Sequence, residues 1–178
     1  MTAAREHDDL TPSLVVRLRA GEADAGALLD RLYRDAVVRF ARGYLRDEQE
    51  AEDAAQDVFA KVLASDAVPE RFRVWLYRVA RNHCLNLLRA RARRRDDASL
   101  PSRADPTAAL TGQLTRLVGL EDRAQVARAL DALGEDQREV LRLRYADGLS
   151  RAEIAEVLEL PESVVKSRLY EGLRRLRR

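Results

Sequence analysis

Apolar residues recur along this chain at intervals of three and four, and no stretch alternates as a half-buried strand would. That periodicity restricts the fold to an assembly of helices. The eight glycines and five prolines fall mostly at the breaks. A first helix is expected with Thr11 as its N-cap and Pro12 at the first helical position, ending at Ala20-Gly21. A second is expected over about 24–45, with Leu28, Leu29, Leu32, Tyr33, Ala36, Val37, Phe40 and Tyr44 on one stripe. A third fits about 48–64, with Ala51, Ala55, Val58, Phe59, Val62 and Leu63 inward. A loop from Ser65 to Glu70 contains Pro69. A fourth helix then starts near Arg71 and runs into a cluster of arginines.

From Asp96 the character changes. Pro101, Pro106, two serines and few large apolar side chains read as a linker. Helical spacing resumes near Asp122. Val126, Ala129, Leu130 and Leu133 share a stripe, which Gly134 breaks. Val140, Leu141, Arg144 and Tyr145 belong to the next helix, stopped by Gly148. The expected fold class is all-α, with two small helical domains at 11–95 and 122–178 joined by a flexible linker over 96–121. A length of 178 residues with 46% hydrophobic content can supply two such cores.

Several classes of function are excluded by what is missing. The longest uncharged stretch, Pro106 to Thr115, has ten residues. A membrane-spanning helix needs about 20, so no membrane insertion is expected. The first ten residues hold four charges and no apolar run, so no secretory leader is expected. One cysteine and two histidines build neither a disulfide framework nor a zinc finger, and a reduced, cytoplasmic compartment follows. Carboxylate pairs, nucleophile–base pairs and phosphate-cradling glycine loops are not evident. The expectation is therefore no catalytic residue, metal, cofactor or small-molecule substrate.

The net charge of +2 conceals a strong segregation. Asp47 to Ala60 holds six acids and no base, Arg71 to Arg95 nine arginines and no acid, and Lys166 to Arg178 six bases against Glu171. Basic blocks on helices suit a polyanion. At about 100° per residue, Phe72, Leu76, Val79, Ala80, His83 and Leu87 fall on one face of the arginine-rich helix. Arg71, Trp75, Arg78, Asn82, Asn86, Arg89 and Arg93 fall on a neighbouring strip. Arginines bind phosphate, an aromatic stacks a base and amides read exposed base edges, which suits melted DNA. Trp75 also borders the apolar face, so it reads as core or as a stacking platform. His83 and Cys84 read as packed side chains. On the acidic helix, Glu50, Asp53, Gln56 and Asp57 lie opposite the apolar stripe. That face reads either as solvated surface or as a dock for a basic partner.

The C-terminal segment has its own constellation. Ser150-Arg151-Ala152-Glu153 has the form of a capping box, and Ile154, Ala155, Val157 and Leu158 follow at helical spacing. After Glu159-Leu160-Pro161 comes a basic helix, completing a helix-turn-helix. Val165, Leu169, Gly172, Leu173 and Leu176 share its inner face. Ser163, Lys166, Ser167, Tyr170, Arg174 and Arg177 share the face suited to a major groove.

In this order and spacing the three blocks resemble the extracytoplasmic function (ECF) subfamily of bacterial RNA polymerase sigma factors. Residues 51–59 and 72–82 are similar to sigma region 2. Residues 137–145, Gly148-Leu149-Ser150, Glu153-Ile154-Ala155 and Val165 to Leu169 are similar to region 4. The resemblance implies a factor that binds core RNA polymerase, directs it to promoters and assists melting, with an anti-sigma factor among its partners. It implies that Asp53, Gln56 and Asp57 face the polymerase. Asn82, with the loop before it, would receive a flipped base of the minus-ten element beside Arg78 and Asn86. Arg71, Trp75 and Arg89 lie on the same strip. Arg144, Lys166, Ser167 and Tyr170 would contact the minus-thirty-five element, with Ser163 and Arg174 on the same face. The linker would thread through the polymerase. The chain departs from the family pattern at Gly134, where proline is common, at Glu159, where glycine is common in the turn, and at Glu171, where a base is frequent. A left-handed Glu159 would cost about 1–2 kcal/mol. Two other readings remain on the residues alone. One is a helix-turn-helix regulator acting without polymerase, and the other is a helical module binding protein or RNA.

Overall fold

A computed structural model describes residues 2–95, 128–130 and 132–176, with 2–10 and 94–95 described by backbone alone. The chain divides into an N-terminal and a C-terminal unit. The expected linker over 96–121, with Val126 and Arg177, lies outside the described residues. Every regular element among the described residues is helical.

Four helices form the N-terminal unit: α1 (Thr2–Ala20), α2 (Ala25–Leu45), α3 (Glu48–Leu63) and α4 (Phe72–Arg95). The first begins earlier than expected, and Pro12 lies inside it. Thr11 does not cap. Its hydroxyl shares a hydrogen bond of 2.7 Å with the Tyr33 hydroxyl. Proline's fixed φ suits a helix, so the backbone continues on its N-terminal side at the loss of one donor. Gly21, at φ 67°, turns the chain out of α1.

The core lies among α2, α3 and α4, with α2 packed most extensively on α3. Ala51, Ala54 and Ala55 are buried on α3 and keep its near end slim, so that α2 approaches closely. Between α2 and α4 run two aromatic rungs. Tyr33 meets Phe72 at 5.5 Å and Phe40 meets Tyr77 at 5.2 Å between centroids, both edge to face. Such pairs add about 0.5–1.5 kcal/mol beyond the area they bury. The α3 N-terminus is capped by Asp47, whose carboxylate accepts from the Glu50 amide at 2.9 Å. Glu48 and Glu50 in that first turn suit the positive end of the helix dipole. Leu63 departs from expectation and is 50% exposed. It sits in the last turn of α3 and overhangs Gly26 at the start of α2, 3.5 Å from where a Cβ there would stand. Among the described residues, no helix is long and apolar enough to cross a membrane.

In the C-terminal unit, α5 (Glu135–Leu141) opens at Gly134, runs into a π-helical turn over Arg142–Ala146, and is followed by α6 (Arg151–Leu158) and α7 (Glu162–Leu176). Leu130, Leu133, Val140, Leu141, Leu143, Leu149, Ile154, Val157, Val165, Leu169 and Leu176 are buried. Gly172 permits the close approach of α7 to α5, since a Cβ there would meet Leu141 Cδ1 at 3.0 Å. The capping box of α6 is formed. The Ser150 hydroxyl accepts from the Glu153 amide at 3.2 Å, and Glu153 accepts from the Ser150 amide at 2.7 Å. The turn after α6 places Glu159 at φ 55°, ψ 43°, the left-handed conformation anticipated from the sequence.

These two features predict opposite changes in stability. Glu159→Gly relieves the left-handed strain, partly offset by glycine's entropy, and should stabilise the C-terminal unit by about 1 kcal/mol. Ser150→Ala should destabilise it by about 1 kcal/mol. Hydrogen exchange of the α6 and α7 amides measures both.

Candidate nucleic-acid interface

The aromatic rungs decide which side of α4 looks outward. With Phe72, Leu76, Tyr77, Ala80 and Cys84 buried, Arg71, Arg78, Asn82, Asn86, Arg89 and Arg93 are all exposed. Trp75 is half-buried, its ring 5.8 Å from that of Phe72, so one edge packs and the other reaches the strip. Asn82 and Asn86 lie one turn apart. Asn86 Oδ1 accepts from Arg89 Nη1 at 3.2 Å, which leaves its amide nitrogen directed elsewhere. Near its C-terminus, α4 is fastened by Arg91, which pairs with Glu50 of α3 and donates to the Leu45 carbonyl at 3.4 Å.

The loop before α4 is pinned as well. Val68 is buried, and its carbonyl accepts from Arg19 Nε at 2.8 Å. The Ser65 hydroxyl donates to the Ala67 carbonyl at 3.1 Å. An exposed strip of amides and arginines, with an aromatic edge, thus begins beside an anchored loop. This arrangement can hold a sugar–phosphate backbone and hydrogen-bond an unstacked base.

On α3, Asp53, Gln56 and Asp57 are exposed, opposite the buried stripe. Asp53 accepts from Gln49 Nε2 at 3.1 Å. Asp57 has a second engagement that the sequence reading did not find. The His83 ring, only 9% exposed, has Nε2 3.2 Å from Asp57 Oδ2 and Nδ1 2.5 Å from Lys61 Nζ. Burial first, and the Lys61 ammonium second, push the imidazole pKa below its ordinary value, against the pull of Asp57. The signal was the i, i+4 spacing of Asp57 and Lys61. The inward position of His83 was read, but periodicity within one helix says nothing of contacts between two.

The C-terminal unit presents the second face. Ser163, Lys166, Ser167, Tyr170 and Arg174 are exposed on α7, with Tyr170 67% exposed, while Val165, Leu169, Gly172 and Leu176 turn inward. Ser167 donates to Glu171 Oε1 at 3.3 Å, and Glu171 also accepts from Gln137 Nε2 at 3.3 Å. The acid at 171 therefore ties α7 to α5. Arg144 sits in the π-helical turn and donates through Nη1 to the Leu149 carbonyl at 2.9 Å, just before the α6 cap. A guanidinium has five donors, so this bond orients Arg144 and leaves donors for a phosphate. The sequence reading assigned Arg144 to DNA contact and missed its hold on the loop.

Known proteins share this organisation. Residues 29–94 match the family described as Sigma-70 region 2, and residues 123–176 the family described as Sigma-70, region 4. The RNA polymerase sigma-H factor of Pseudomonas aeruginosa is 32% identical over 171 residues, which cover 89% of this chain and 88% of that protein. The ECF RNA polymerase sigma-E factor of Escherichia coli is 30% identical over 169 residues, with 89% and 88% covered. A solved structure of CnrH in complex with the cytosolic domain of CnrY is similar with a TM-score of 0.65 at 27% identity, covering 92% of each chain. The chain belongs to the ECF family of RNA polymerase sigma factors. It is a non-enzymatic transcription initiation factor that directs RNA polymerase to promoters.

The His83 cluster gives a pH dependence of stability. The unfolded imidazole titrates near 6.5 and the folded one lower, so between those values the unfolded chain binds more protons. The contribution of His83 is complete above about pH 6.5 and is lost as pH falls toward the folded pKa. His83→Gln should remove that part of the slope. Urea unfolding of parent and variant at several pH values, followed by fluorescence of Trp75, the one tryptophan, measures it.

Proposed function

We propose that this sigma factor divides its work among three surfaces. Asp53, Gln56 and Asp57 on α3 dock core polymerase. Arg71, Trp75, Arg78, Asn82, Asn86 and Arg89 on α4 engage the minus-ten element, with Asn82 holding a base out of the stack. Arg144, Ser163, Lys166, Ser167, Tyr170 and Arg174 in the C-terminal unit engage the duplex minus-thirty-five element. The working divisions of the chain are residues 11–95 and 122–178, joined by 96–121. The observation that carries this reading is the exposure of the α4 strip, with its two amides one turn apart, on a helix oriented against α2 by aromatic rungs. A regulator of duplex DNA alone has no use for such a strip.

The chemistry differs between the two DNA-reading faces. Lysine, serine and arginine on α7 suit base edges and phosphates in an open major groove. Taking a base out of the stack costs a few kcal/mol, which a specific contact to Asn82 offsets. The structure of CnrH bound by the cytosolic domain of CnrY supports a protein partner for this chain too. That partner is an anti-sigma factor, and the compartment is the cytoplasm.

Asn82→Ala should spare binding to a duplex upstream element and impair opening, as measured by permanganate footprinting of open complexes. A template already mismatched across the downstream element should restore part of the activity. Equal opening of the fully paired promoter by parent and variant would remove Asn82 from the base-holding role. Lys166→Ala should weaken upstream recognition and lower the salt slope of binding by about one. For polymerase docking, Asp53→Lys is the clean reversal, because Asp57 is also engaged with His83. It should weaken core binding in a competition assay at unchanged helicity.

A further inference from the structure

Asp57 and Lys61 stand one turn apart on α3, and the His83 ring of α4 enters between them. An ammonium can only donate, so Nδ1, 2.5 Å from Lys61 Nζ, accepts. The neutral ring then carries its proton on Nε2, 3.2 Å from Asp57 Oδ2. Each ring nitrogen thus faces a different charged group, and exchanging them is not possible without turning the ring. Ala80, one turn before His83 on α4, and Cys84, the residue after it, are buried, whereas Asn82 and Asn86 face outward in the strip.

We infer that His83 is a positioning residue for promoter opening, seated between Asp57 and Lys61 so that the rotation of α4 on the docking helix, and with it the aim of Asn82 and Asn86, is fixed. The inference rests on the roles proposed above for α3 and α4. The aromatic rungs limit the roll of α4 against α2, and His83 adds a polar constraint against α3. A roll of about 20° displaces an atom at the outer surface of a helix, about 5–6 Å from the axis, by about 2 Å. A displacement of about 1 Å is already enough to spoil a positioned contact. A buried ring hydrogen-bonded to Lys61 through Nδ1 and set with Nε2 against the Asp57 carboxylate resists that roll.

Protonation unseats the ring. The charged groups acting on it from the surrounding elements are Lys61 and Asp57. A second N–H, on Nδ1, would point at the Lys61 ammonium, so the contact to Lys61 breaks while that to Asp57 remains. The docking helix and the base-reading helix then lose the hydrogen bond that joins them at this point.

The test uses holoenzyme reconstituted from core polymerase and the full chain on a fully paired promoter. His83→Leu keeps the volume and removes both polar contacts. Its opening rate should fall about five-fold at pH 7.5, the effect of one net hydrogen bond, at unchanged core affinity. His83→Gln, whose amide both accepts and donates, should recover most of the rate. Between pH 7.5 and 5.5 the parent should slow relative to His83→Gln. Opening by His83→Leu at the parent rate, equal slowing by the leucine and glutamine variants, or a shared pH profile of parent and glutamine variant would each overturn the inference. Should His83→Leu lose helicity, the pH comparison of parent with His83→Gln decides alone. Asn82→Ala runs alongside. If it is slow while His83→Leu is normal, the positioning role fails and the base-holding site stands. If Asn82→Ala itself opens normally, the site reading fails first.

Discussion

The edge-to-face contacts of Tyr33 with Phe72 and Phe40 with Tyr77 set the orientation on which the N-terminal unit depends. Both rungs join α2 to α4, two turns apart on α2 and about one and a half turns apart on α4. Two such contacts fix the axial register and limit roll in a way that aliphatic packing does not, because ring edges and faces are electrostatically distinct. Once Phe72 and Tyr77 point inward, the 3.6-residue period leaves Arg78, Asn82, Asn86 and Arg89 pointing outward. Arg91 completes the arrangement near the other end, where its ties to Glu50 and Leu45 hold a helix crowded with like charges against the core. Without those acids on α3, an arginine run of this density would repel itself. The acidic helix therefore serves the fold at Glu50 while its Asp53 and Gln56 remain on the surface.

Much of this was legible because periodicity reports burial. The strip on α4 was drawn from spacing alone, and every member but Trp75 is exposed. The capping box at Ser150 was legible because its residues are local and its chemistry is particular. The left-handed Glu159 was legible only as a departure from a glycine pattern. Features that arise between helices were not legible. Leu63 has the right spacing for the core, but α3 ends where its neighbours no longer cover it. Pro12 looked like a helix start because proline is common there, yet Thr11 found a partner in Tyr33 instead of in the backbone. The engagement of Asp57 with His83 joins two faces that a helical projection treats as separate.

The C-terminal unit shows where a functional element tolerates unfavourable local structure. The π-helical turn over Arg142–Ala146 and the left-handed Glu159 flank the short α6 on either side. Neither is a conformation the backbone prefers. Together they turn the chain so that α6 and α7 can cross, and they persist because the surrounding packing determines them. The burial of Leu143 and Leu149, the bond from the Leu149 amide to the Leu143 carbonyl at 2.9 Å, and the hold of Arg144 on the Leu149 carbonyl all act on the same loop. Arg144 is thereby given one direction, which lowers the entropy lost when it meets a phosphate.

Each reading face is carried by little more than one helix. A strip of about six side chains on α4 and a similar number around α7 are each small beside the roughly 1,000–2,500 Å² buried by a typical specific protein–DNA complex. Neither face alone can therefore combine high affinity with high discrimination. A sigma factor built this way gains specificity when both faces act on one promoter, and the benefit depends on how well their spacing is fixed, since effective concentration falls as a tether becomes longer than the span it must cover. On the proposed reading, core polymerase holds both units and supplies that spacing. Weak binding by each face in isolation would then be useful on the same reading, because it would keep the unbound factor from occupying promoters that no polymerase has reached.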